Sequence, residues 1–147
     1  MTTDLQTPPT AIADLLGTPG FGAVMVGVLT LLAKLYMSST VRSAIGTMSA
    51  EESKKFLASP EVVFKSKTQL NEAEYSPILF AMLMTLHFLK VDGGKLCYWV
   101  SIAAPAGQFI YFYGRLFNGK VIPFTPAGAL PRYWALAAGM YLIYKSL

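Results

Sequence analysis

Long apolar runs separated by short charged intervals constrain this chain more than any single motif does. A mostly apolar run of about 20 residues is what crossing roughly 30 Å of hydrocarbon requires, and only helices or closed barrels satisfy their backbone there. Of the 147 residues, 54% are hydrophobic and 14% charged, whereas a soluble domain is about a quarter charged. The pattern predicts an all-α integral membrane protein, built as one small bundle of four transmembrane helices.

The first span, Phe21 to Ser38, is broken only by Lys34, whose ammonium group can extend to the headgroups. The second runs uncharged from Tyr75 to Leu89. Ser59 suits a helix cap and Pro60 the first helical position, so this helix is expected to start early and protrude. The third, Leu96 to Gly114, carries no charge, and Pro105 is expected to kink it. The fourth is short between Arg132 and Lys145 unless Thr125 and Pro126 begin it, in which case Pro131 strains it. Residues 1–20 hold three prolines and two aspartates but no lysine or arginine. They read as a polar tail rather than a signal peptide, with the membrane domain over 21–147. The lone Cys97 leaves no internal disulfide and reads as a packed thiol.

Basic residues give an orientation. Arg42, Lys54, Lys55, Lys65 and Lys67 precede the second span, and Arg115, Lys120 and Arg132 fall in the third connection, against only Lys90, Lys95 and Lys145 on the other side. The positive-inside rule then places both larger connections in the cytosol and both termini in a lumen or outside. Charges dispersed in this way do not form a nucleic-acid surface, and no metal-ligand set occurs. Small residues four apart, Ala23 and Gly27, Ala103 and Gly107, Ala135 and Gly139, permit close helix approach within a chain or between chains.

Chemistry concentrates in one stretch, Lys67 to Pro77. On a helix, Lys67, Asn71, Glu74 and Ile78 share a face and Tyr75 adjoins it, where the second helix enters the membrane from the basic side. A carboxylate at that depth needs a partner. Two readings stay open on these residues. In one, Glu74 pairs with an arginine of another helix and Asn71 bridges backbone groups, as structural glue. In the other, the stripe is a pocket for an amphoteric ligand, its basic groups receiving carboxylates and Glu74 an ammonium group, as a tripeptide such as glutathione requires.

Asn71, Glu74, Tyr75 and Pro77 form an Asn-x-x-Glu-Tyr-x-Pro pattern after a first span and a basic loop. This resembles the MAPEG family, the membrane-associated proteins in eicosanoid and glutathione metabolism, and most of all its microsomal glutathione transferases and leukotriene C4 synthase. The resemblance implies a homotrimer of four-helix subunits in the endoplasmic reticulum or another intracellular membrane. Glutathione, as co-substrate, would bind between subunits near the cytosolic face. It implies glutathione transferase or peroxidase chemistry on a lipophilic electrophile or lipid hydroperoxide drawn from membrane lipid. Gln69, Asn71, Glu74 and Tyr75 would hold the peptide, with Lys67 where many members have arginine, and Arg42 as a further carboxylate partner. Arg132 would lower the thiol pKa, with Arg115 the second candidate, and Tyr111 would face the ligand. Interfacial anchoring is the competing reading of Arg42, Arg115 and Arg132, and aromatic packing that of Tyr111. His87, near the far end of the second helix, reads as structural. The alternative for the whole chain is a non-catalytic, lipid-binding accessory subunit of a larger membrane complex.

Overall fold

Thr18 and Ser59 each precede a proline, and each pair opens a long helix. The side-chain oxygen of Thr18 accepts from the Phe21 N–H at 3.3 Å and that of Ser59 from the Val62 N–H at 3.4 Å. Proline at the first position removes a donor that would lack a partner anyway. The computed structural model describes residues 12–92, 94–119 and 121–147, and these are helical with no strand among them. In order they form α1 (Ile12–Leu16), α2 (Pro19–Ile45), α3 (Ala50–Leu57), α4 (Pro60–Phe88), α5 (Gly94–Asn118) and α6 (Phe124–Ser146).

The four long helices run antiparallel to their neighbours in sequence. The pairing of α5 with α6 is the most extensive; α2 packs on α4 and α5, and α4 touches both α5 and α6. The α4 start, α5 end and α6 start therefore lie together, at the basic end of the bundle. The interior is filled by residues such as Val26, Leu79, Leu83, Leu86, Val100 and Ala104, joined by the buried Cys97. A smaller cluster of Ala33, Met37, Phe112 and Leu116 lies toward the basic end. Large apolar side chains also cover the outside, among them Leu31, Leu35, Phe80, Trp99, Phe109 and Met140.

Of these helices, only Pro19–Ile45 is both long and apolar enough by itself to cross a membrane. The reason is visible in α4, whose first half carries Glu61, Lys65, Lys67, Glu72 and Glu74 before the apolar stretch begins.

Ile12–Leu16, within the expected tail, is helical, Pro19 belongs to α2, and α1 packs on α2 and α5. Residues 1–11 of the expected tail lie outside the described residues. The third connection is short, not a long loop reaching Arg132, because α6 begins at Phe124; its first-turn Pro126 needs no donor, and the helix continues through Pro131. Arg132 is consequently inside a helix and 0% exposed, which opposes the reading of it as a surface anchor. Lys120 lies outside the described residues. The α5 end is set by Gly119, whose φ of +63° suits a residue without Cβ and whose N–H donates to the Arg115 carbonyl at 2.9 Å.

The small residues serve packing within the chain. A Cβ added at Gly107 would lie 2.8 Å from the Gly128 carbonyl oxygen and 2.9 Å from Arg132 Cγ, and one at Gly128 would strike the Tyr111 backbone. These two glycines let α5 and α6 approach closely, which presses Arg132 against Gln108 and Tyr111.

Candidate functional site

Two turns into α6, Arg132 enters the interior of the bundle beside the buried polar side chains Gln108, Glu72 and Ser76. Its Nη1 donates to Gln108 Oε1 at 3.2 Å and its Nη2 to Asn71 Oδ1 at 3.4 Å. The guanidinium carbon lies 3.9 Å from the Tyr111 ring centroid and 4.9 Å from that of Tyr75. Withdrawing such a cation from water costs several kcal/mol. Two charge-assisted acceptors at about 1.5–3 kcal/mol each and ring faces at about 2 kcal/mol when desolvated offset that cost.

No carboxylate forms an ion pair with Arg132 or Arg115 among the described residues; the ion pairs found there are Lys55 with Glu51 and Lys65 with Glu61. Arg115 reaches the same phenol from the other helical level. Its Nη1 donates to the Tyr111 hydroxyl, and its guanidinium carbon lies 4.8 Å from the Tyr111 ring and 5.0 Å from Phe64. Two guanidinium groups thus share one tyrosine, and the buried Nε of each lacks a hydrogen-bond partner among the described residues. Since the Tyr111 oxygen accepts from Arg115, its own proton remains available for donation.

Behind Arg132 lies a second layer. Glu72, 2% exposed, accepts at Oε1 from Ser76 Oγ at 2.8 Å and from Gln108 Nε2 at 2.8 Å; Gln108 Nε2 also donates to Ser76 Oγ at 2.6 Å. The buried carboxylate is therefore Glu72, where the sequence reading places Glu74. Positions two apart on a helix face nearly opposite ways, so packing of α4 against α5 decides between them. Glu74 is exposed and forms no ion pair with an arginine of this chain among the described residues.

The other candidates separate over two faces of α4. Asn71 and Tyr75 turn toward α6, where the Tyr75 hydroxyl lies 3.1 Å from that of Tyr133. Asn71 contacts a guanidinium rather than bridging backbone groups. Arg42 and Gln69 line a groove of about 290 Å³ between α2 and α4, together with Lys34, Ser38 and Ser66. Lys67 is exposed. His87 is exposed at the far end of α4.

Sequence reasoning did not single out Glu72, Ser76 or Tyr133. One signal was present: Glu72 and Ser76 stand one turn apart, and Gln108 and Arg132 are polar residues within apolar runs, a combination that marks a buried polar network. Comparison of the chain with family models, curated proteins and solved structures finds no match.

Proposed function

We propose that this chain is a MAPEG-like protein that spans a membrane with α2, α4, α5 and α6, assembles as a homotrimer and activates the thiol of glutathione. The observation that carries the reading is the pair of guanidinium groups on Tyr111 with no ion-paired carboxylate among the described residues. A fixed positive charge stabilises a thiolate and lowers its pKa from about 8.5. The Tyr111 hydroxyl, already accepting from Arg115, supplies a proton donor to the sulfur. The thiolate attacks the electrophilic carbon of a lipophilic acceptor from the bilayer, forming a thioether as the leaving group departs or the acceptor's double bond takes up the electron pair and a proton. On a lipid hydroperoxide it attacks the distal oxygen, breaking the O–O bond to give the lipid alcohol and a sulfenic acid, which a second glutathione converts to the disulfide and water.

Four helices of 27, 29, 25 and 23 residues are each long enough for a span of about 20 residues. Their outer faces carry many large exposed apolar side chains, among them Leu31, Leu35, Phe80, Trp99, Phe109 and Met140, which suits lipid surroundings. Division of the candidates over two faces of α4 supports a site between subunits. Arg42 and Gln69 of one copy would meet Asn71, Glu74 and Tyr75 of the next, with exposed Lys67 and Glu74 at the junction. Glutathione would enter from the cytosol, with both termini lumenal, in the endoplasmic reticulum or another intracellular membrane.

Detergent-purified protein is expected to bind glutathione saturably in calorimetry and to show thiolate absorbance. Arg132→Ala should lower turnover of a generic electrophile by roughly 100-fold, the scale for losing one transition-state charge donor. Full turnover in that variant removes Arg132 from the mechanism, and absence of glutathione binding by the wild type overturns the reading.

One observation favours the non-catalytic alternative. A groove of about 280 Å³, walled by Phe21, Met25, Leu29, Ile102 and Phe109, runs between α2 and α5 and fits an acyl chain without any thiol chemistry. Lipid retention without glutathione binding, in a stoichiometric larger complex, would select that function.

A further inference from the structure

Glu72 is a buried carboxylate one amide away from a buried guanidinium, yet the two form no ion pair. Resting on the thiol-activating role of Arg132, we propose that Glu72 is a positioning residue that fixes Arg132 through Gln108 while leaving its charge available.

The hydrogen bonds allow one orientation of the Gln108 amide. Nε2 donates to Glu72 Oε1 at 2.8 Å and to Ser76 Oγ at 2.6 Å, while Ser76 Oγ donates its own proton to Glu72 Oε1 at 2.8 Å. A flipped amide would set its carbonyl against the carboxylate and its NH2 group against the guanidinium, losing both contacts. Glu72 therefore directs Gln108 Oε1 at Arg132, which donates to it at 3.2 Å. Gln108, 1% exposed, is closed off from water that could substitute.

The spacer explains why the pair is indirect. A carboxylate bonded directly to Arg132 would anchor it equally well but would cancel the field that a thiolate needs. A neutral acceptor alone would leave that field intact but could rotate. The amide between the charges gives a fixed guanidinium with its charge uncancelled by contact.

Two variants separate this role from simple structural glue. In Glu72→Gln, the side chain at 72 can present either its oxygen or its NH2 group to Gln108, so it no longer dictates which way that amide faces. Turnover should fall on the order of tens of fold, the scale of a misplaced catalytic group, with glutathione KM within about twofold and the apparent pKa of bound thiol raised. A through-space charge effect predicts the opposite sign, because removing a negative charge lowers the thiol pKa. The double variant Glu72→Gln/Gln108→Glu keeps net charge and hydrogen-bonding capacity but brings the carboxylate onto Arg132. It should unfold at the wild-type temperature and lose the thiolate band. A lowered or unchanged thiol pKa in Glu72→Gln, or a wild-type band in the double variant, overturns the inference while glutathione activation by the wild type stands.

If the wild type itself shows no thiolate, the proposed function fails, and the positioning is read without glutathione. Nitrogen-15 spectra of the Arg132 guanidinium should show restricted rotation in the wild type and free rotation in Glu72→Gln. Equal rotation in both overturns the positioning role directly.

Discussion

A guanidinium inside a bundle must find a carboxylate or a set of acceptors and rings, and Arg132 has the second kind of environment. That choice makes lysine a poor substitute, since it cannot donate in a planar fork or stack over Tyr111. Arg132→Lys is expected to lose nearly as much turnover as the alanine variant despite its retained charge; near-wild-type turnover would reduce Arg132 to a point charge. Tyr111→Phe keeps the ring beneath both cations but removes the hydroxyl that accepts from Arg115. Turnover should fall roughly 10- to 100-fold, in the range of one hydrogen bond to a charged group, with a raised apparent thiol pKa, read from the pH dependence of thiolate absorbance. The chain spells out which residue types matter here, but choosing Glu72 over Glu74 depends on how α4 is rotated against α5.

Among the elements, the α5–α6 hairpin sets the site. Gly128→Ala would drive a methyl group into the Tyr111 backbone, so the helices must separate and Arg132 must withdraw from Gln108. A loss of about 1–3 kcal/mol, typical of overpacking, is expected in detergent unfolding, together with reduced turnover. At the basic end, α3 is held by a reciprocal cap: Ser49 Oγ accepts from the Glu52 N–H, and Glu52 accepts from the Ser49 N–H at 2.9 Å. Ser49 Oγ also donates to the Glu52 carboxylate at 2.7 Å, and this bond first, with that from the Ser49 N–H, holds the Glu52 carboxyl below its ordinary value of 4.5. A depressed folded pKa means that the stabilisation is present above the ordinary value and is lost as pH falls from there through the folded one. Hydrogen exchange at the α3 amides should accelerate over that acidic window relative to a neutral-pH control corrected for intrinsic rates. Ser49→Ala, which keeps the backbone N–H at 49, should weaken this pH dependence and Glu52→Gln should abolish it; its persistence in Glu52→Gln would assign the effect elsewhere. Helix starts at Thr18 and Ser59 are written in local chemistry, and their caps form as that chemistry requires. The α6 start at Phe124 follows the longer of the two readings, the one that Thr125 and Pro126 offer, and packing on α5 accompanies the helix through Pro131.

At the scale of the molecule, the bundle has a polar interior patch near its basic end and an apolar exterior, the arrangement suited to lipid surroundings. The proposed topology predicts that Lys54→Cys reacts with a membrane-impermeant thiol reagent added from the cytosolic side, whereas Lys95→Cys reacts only from the lumenal side. The native Cys97 is buried and gives a low background. Reaction of both from one side would defeat a four-span arrangement. Native mass spectrometry in detergent should count three subunits, and a monomer that binds glutathione fully would remove the intersubunit site.

The sequence by itself determined an all-helical chain, the α2 and α4 starts, and the residue types of the polar cluster, because capping and hydrophobic segregation act over a few neighbouring residues. Which of those residues meet was decided only by tertiary structure. Hydrogen bonds joining Asn71 to Arg132 and Glu72 to Gln108 link positions 61 and 36 residues apart. Such pairings depend on helix rotation and on the close approach allowed at Gly107 and Gly128, and a one-residue turn of α4 about its axis would exchange one set of partners for another.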